Sequence, residues 1–324
     1  MRNITGLPEY TNFHYQFDIF SLFTIITVLY SIPPTYFLAW MFHFWLQHRN
    51  SITKNGLRSD IFLLFLVMQL VGTLNTINFI LFYRLPITGI FTSYCASGSE
   101  NLDNVLYSSM LFMYFVLFLR NFSTVLFSLI RVFIMFSTKL EQKMYFKEIF
   151  GVLSILIVIS VTLSLIRNSE PSVCIQLGAP YPFGALKIAL AIPVGYQSLY
   201  SKIELFFYPT IILILTVSTV LTFWKLHQLR HHHNTISHSR RKTDLHSEKT
   251  LTGAMTLILL PILLSELIVV FEFFGLQVFV LGLVRTVFGD ARAHVVTCYF
   301  YWTHPIFKTF QRKRRKLKRV ETLS

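Results

Sequence analysis

Charge is what this chain has least of. Asp, Glu, Lys and Arg make up 14% of its 324 residues against 53% hydrophobic ones, a balance that excludes a water-soluble fold. Loops and tails are short, with no room for a separate soluble domain, which leaves one membrane domain and no linker. No internal repeat is evident, and this argues against a transporter built from inverted repeats. No nucleophile elbow, zinc-protease motif or phosphate-binding loop occurs. Residues 1–18 are polar and mixed, with no basic stretch leading into a short apolar core. The first helix is therefore expected to act as its own insertion signal.

What the chain has instead is seven long apolar segments: Ile19–Leu46, Ile61–Tyr83, Val105–Phe136, Ile149–Ile166, Ile203–Leu226, Leu251–Phe273 and Ala291–Phe310. Crossing a hydrocarbon core of about 30 Å takes about 20 helical residues, and each segment reaches or approaches that length. Backbone polar groups in lipid must be satisfied within the segment, so the segments are helices and not strands. The fold class expected is an all-α membrane protein, a seven-transmembrane helix bundle. Residues 1–18 form a tail before it, 19–310 the bundle and 311–324 a basic tail. The seventh segment is the least sharply bounded, because residues 274–290 are also apolar, though broken by Gly282, Arg285 and Gly289.

Basic residues orient the bundle. With the N-terminus outside and the C-terminus inside, 20 Lys and Arg residues fall in inside segments. Seven fall outside: Arg2, Arg84, Arg167, Lys187, Lys202, Arg285 and Arg292. Such a bias follows the positive-inside rule. The net charge of +14 is thus a topology signal and not a sign of nucleic-acid binding. The run Arg312–Arg319 reads as a stop signal held near anionic lipid, with a specific lipid or calmodulin site as the alternative.

Four stretches give the chain a family likeness. They are Leu7-Pro8-Glu9-Tyr10, the run from Arg84 through Pro86, Gly89 and Cys95 to Ser97, Asn121-Phe122-Ser123-Thr124 followed by Arg131, and Tyr299 through His304-Pro305 to Phe307. With these the chain resembles the nematode serpentine chemoreceptors, class U of the gamma superfamily, over nearly its whole length. The resemblance implies an orphan G-protein-coupled receptor detecting a small molecule at the surface of a sensory neuron, in the plasma membrane and in the cilium. A small-molecule ligand, a heterotrimeric G protein and the lipid bilayer are the implied partners, with no cofactor and no nucleic acid. The chain departs from rhodopsin-type receptors at Ile130-Arg131-Val132, where those carry Asp-Arg-Tyr, and at His304-Pro305-Ile306-Phe307, where those carry Asn-Pro-x-x-Tyr. Rhodopsin-type activation switches do not transfer residue by residue.

Several residues are candidates for function. Cys95 and Cys174 both fall outside and are expected to pair in an oxidising compartment, the alternative being two free thiols. Asn3-Ile4-Thr5 is a glycosylation sequon in an exposed tail. Charges at membrane depth are costly and face the bundle interior. Arg120 and Glu266 lie at similar depth in the third and sixth segments, as an ion pair or with separate partners. Arg131, at the inner end of the third, is the candidate for G-protein coupling, against plain snorkelling to phosphates. In the second segment Gln69, Thr73 and Thr76 form one helical stripe with Asn75 and Asn78 beside it. Polar side chains there either bond helices together or touch ligand. The ligand-binding candidates are Asn75, Asn78, Arg120 and Glu266. Pro33-Pro34, Pro209 and Pro261 are expected to kink their helices.

Two other classes fit the sequence less well. His227 and His231–His233 have the spacing of one metal box of a membrane desaturase, but the remaining boxes are missing. The chain is therefore not read as an enzyme, and no metal site is assigned. A transporter or ligand-gated channel would need polar groups along a continuous path, and the charges within the segments are too few to establish one.

Overall fold

The structure is a computed structural model, and it describes residues 2–54, 59–98, 100–137, 145–167, 171–191, 199–233, 239–273 and 279–307. The 311–324 tail lies outside them. In chain order the elements are β1 (Arg2–Asn3), α1 (Pro8–Thr11), α2 (Ile19–Lys54) and α3 (Ser59–Phe79). A π-helical turn (Ile80–Arg84) leads into α4 (Leu85–Ile87) and α5 (Thr92–Ala96). Then come α6 (Glu100–Phe136), α7 (Tyr145–Arg167), β2 (Ser172–Gln176), β3 (Leu186–Leu190), α8 (Leu199–His233), α9 (Ser239–Phe273) and α10 (Phe279–Thr303).

Among the described residues six helical stretches are long and apolar enough to cross a membrane. The seventh long helix, α10, is the polar exception, with Arg285, Asp290, Arg292 and His294 interrupting its apolar run. The sequence places its start at Ala291 because Gly282, Arg285 and Gly289 break the run before it. α10 spans Phe279–Thr303, and Arg292 is not in a loop but buried within it. Arg84, also counted as external, is buried at the end of the π-helical turn.

The helices are built for an apolar solvent. Along α3 and into the π-helical turn the exposed stripe is Leu70, Leu74, Ile77 and Leu81, while Gln69, Thr73, Asn75, Thr76 and Asn78 are buried. At about 100° per residue the four apolar side chains fall within one narrow sector. Apolar-out and polar-in is the reverse of a soluble helix. Likewise α7 exposes Ile155, Val158, Val161, Leu165 and Ile166 and buries Ser160 and Ser164. The chain runs as continuous helix through Pro33-Pro34, Pro209 and Pro261. The break in α2 falls at His48 instead (φ −122°, ψ 17°).

The chain divides into two compact units. The first comprises Met1–Ile32, Val71–Ser123 and Phe150–Pro209. The second comprises Pro33–Leu70, Thr124–Ile149 and Thr210–Ser324. The first contains an antiparallel three-stranded sheet in the order β1-β2-β3, with Arg2 opposite Gln176, Asn3 opposite Ile175 and Cys174 opposite Ile188. This sheet has no counterpart in the sequence reading. The second unit holds an aromatic cluster in which Trp40, Tyr301, Phe300 and Phe62 gather around or beside Phe307.

Candidate functional site

In the first unit the N-terminal segment is no free tail. Ile4 is fully buried, and with Tyr10 it joins a core containing Cys95, Cys174, Leu106, Met110, Tyr114, Phe118 and Ile188. Cys95 and Cys174 form a disulfide with Cα atoms 6.0 Å apart. The Ile4 N–H donates to the Cys174 carbonyl (3.2 Å), and the Gly6 N–H donates to the Ala96 carbonyl (3.0 Å). The N-terminal residues are thus bonded to the segments on both sides of the bridge. Asn3, the sequon residue, is exposed, and its Oδ1 accepts from the Thr5 N–H (3.2 Å) and hydroxyl (2.9 Å).

Phe13 wedges this cap in place. It packs so closely on Gly184 that a Cβ there would overlap its ring, and it also lies against Gly89. Both glycines have positive φ, +89° and +82°, which other residues adopt only under strain. The Thr92 hydroxyl joins the two turns, lying 2.6 Å from the Gly184 carbonyl and 2.7 Å from that of Gly89. Gln176 fastens the β2–β3 turn: its amide donates to the Leu177 carbonyl, and its Oε1 accepts from the Gly184 N–H (3.0 Å). Asp18 caps α2 by accepting from the Ser21 N–H (2.8 Å), as a helix N-terminus requires. Tyr181, stacked on Phe20, has its phenol held above the usual pKa, first by burial and then by Tyr83.

Beneath the cap, the π-helical turn changes which residues of the second long helix meet. One π turn aligns residues five apart, so Phe79 and Arg84 share a face, with the guanidinium 5.9 Å from the Phe79 ring and 5.3 Å from that of Phe23. Such turns are frequent at functional sites. Asn75, Asn78 and Arg120 are all buried in this unit. Phe207 of α8 meets Phe118 and Phe122 edge-on at 5.4 and 5.5 Å, which sets an aromatic wall beside Met110 and Tyr114.

In the second unit Arg131 is 2% exposed. Its Nη2 donates to the Glu248 carboxylate at 2.7 Å and lies 3.4 Å from the Thr252 hydroxyl. Thr252 in turn donates to the Glu248 carbonyl (2.8 Å). The partner of Arg131 escaped sequence reading, which began the sixth segment at Leu251, whereas α9 starts at Ser239. Gly253, beside Thr252, receives the Tyr299 hydroxyl of α10 where any Cβ would clash. Arg292 donates to the Thr124 hydroxyl, and Thr297 donates to Gln69 (3.2 Å). The side chains of Glu266, Glu204 and Glu272 lie outside the described residues. The His227–His233 run forms the end of α8, and the side chains of His231–His233 also lie outside them.

A family model described as "Serpentine type 7TM GPCR chemoreceptor Sru" matches residues 4–310. No curated protein matches the chain.

Proposed function

Since the chain belongs to the Sru family of seven-transmembrane G-protein-coupled chemoreceptors and is a chemosensory membrane receptor, we propose how its parts divide the work. Within the family we assign it to class U of the gamma superfamily, on the Arg84–Ser97 run and the opening Leu7-Pro8-Glu9-Tyr10. The N-terminus is external and the C-terminus internal, which the basic bias supports. The receptor sits in the plasma membrane, and in the sensory cilium by family resemblance. It works without catalysis. Small-molecule ligand binds in the first unit under the disulfide-linked cap, where Asn75, Asn78 and Arg120 supply polar groups. A heterotrimeric G protein reads Arg131 and the segment Lys225–Lys249.

The observation that carries this reading is the Arg131–Glu248 pair. It ties α6 to α9 by a bond that a change of state would break. Ligand acts only through differential affinity for the two states, so a resting state needs a contact that the active one lacks. The test is ligand-independent. Glu248→Gln should raise basal G-protein reporter output at equal surface level. If no variant of this pair changes reporter output and stimulated cells lacking G-protein signalling still pass current, the chain works as a channel.

A further inference from the structure

The two polar flanks of α3 are not equivalent. Gln69, Thr73 and Thr76 lie to one side of the exposed Leu70–Leu81 stripe. There Gln69 accepts from Thr297, and Thr76 donates to the Gly72 carbonyl. Asn75 and Asn78, three residues apart, lie on the other side at about 100° per residue. Asn78 is 4% exposed. Its Nδ2 is wholly buried with no hydrogen-bond partner among the described residues. A buried donor left unsatisfied is costly, and in lipid no bulk water relieves it. An apolar side chain would avoid that cost at this position, so the amide has some other use.

The next residue along that flank is Phe82, which packs against the core containing Met110, Tyr114 and Phe118, with Phe207 beside it. A donor without an acceptor therefore stands on a flank that continues into rings and a thioether. We propose that Asn78 Nδ2 donates to an oxygen of the ligand. The ligand is an uncharged, mainly apolar molecule with one carbonyl-type acceptor, such as a ketone, aldehyde or ester, and its body lies along Met110, Tyr114, Phe118 and Phe207. A carboxylate or ammonium would lose its water beside Asn75, Asn78 and Phe82, which carry no charge to offset the loss, and Arg120 already has a partner of its own. Methionine beside aromatic rings adapts to differently shaped apolar bodies. This assignment rests on the receptor reading and names the chemistry of its ligand.

Two measurements on purified receptor in detergent test it without a G protein. First, Asn78→Leu should leave the thermal unfolding midpoint unchanged or raise it. A lower midpoint would make Asn78 a structural amide and overturn the proposal. Second, wild-type receptor is titrated with medium-chain methyl ketones and esters and with the matched carboxylates, amines and alkanes. Ketones or esters should raise the midpoint, and Asn78→Leu should weaken them about tenfold, the loss of one hydrogen bond. Equal potency on the variant, action by carboxylates or amines alone, or silence of every carbonyl compound would each overturn it. None of those results touches the receptor reading, which stands or falls on the basal signalling of Glu248→Gln.

Discussion

Arg131 of α6 and Glu248 of α9 are joined at 2.7 Å, and their burial is unequal: the arginine side chain is 1% exposed and the carboxylate 30%. The arginine therefore depends on the pair more than the glutamate does. A hydrogen bond to a charged group contributes about 1.5–3 kcal/mol, and about 1.4 kcal/mol is tenfold in an equilibrium. Glu248→Gln should raise basal signalling about tenfold. Arg131→Ala should lower coupling while leaving surface level and most ligand binding intact. Normal signalling by Arg131→Ala with a matched G protein would reduce that residue to a packing role.

Gly184 carries two independent constraints, its positive φ and the ring of Phe13 above it. Gly184→Ala should destabilise the receptor by about 1–3 kcal/mol from backbone strain alone, with overpacking adding to it. Combining it with Phe13→Ala should recover the clash but not the strain. A double-mutant cycle read by thermal unfolding separates the two. Full recovery would show that the φ at this position costs little.

The Cys95–Cys174 bridge spans a sequence separation of 79 residues. In the chain-entropy account, closing a loop of that size stabilises by about 4.5 kcal/mol. Mass spectrometry of unreduced peptides should find the two cysteines linked in surface-expressed protein, and Cys95→Ala should sharply reduce surface level. Alkylation of both thiols without prior reduction would show an open bridge.

Tyr181 gives the cap an alkaline limit. Its phenol titrates above the usual value in the folded state, so the folded form holds the proton more tightly than the unfolded one. That contribution is complete below the unfolded pKa of about 10. It is lost as pH rises from there through the higher folded value. The unfolding midpoint should therefore fall above pH of about 10, and Tyr181→Phe should flatten the fall. An unchanged slope in the variant would assign the alkaline loss to other groups.

The parts of this structure that were legible in the sequence are those set by local periodicity. The Leu70-Leu74-Ile77-Leu81 stripe and its polar counterpart can be read from spacing alone, and so can the apolar runs of α2, α6, α7 and α8. Elements that depend on distant partners were not legible. Arg2–Asn3 is too short to signal a strand by itself, and β2 and β3 acquire meaning only through their pairing with each other and with it. Glu248 sits in the polar turns of α9, which resemble a loop until a packed arginine holds them. The Phe79–Arg84 contact follows a spacing of five, which a 3.6-residue period does not anticipate. Arg292 misled for the opposite reason: a charge counted among the external basic residues is an interior hydrogen-bond donor to Thr124.

The pairing of Arg2 with Gln176 also imposes an order in time. Arg2 and Asn3 must wait for a partner some 170 positions later in the chain, about 10–35 s at ordinary rates of synthesis. Until then nothing in the sheet can hold them. Any enzyme acting on Asn3 has that interval in which to work before the sheet closes. Afterwards the backbone of the sequon is part of a sheet. A marker placed beside Arg2 would therefore report on a strand that the rest of the protein has still to capture.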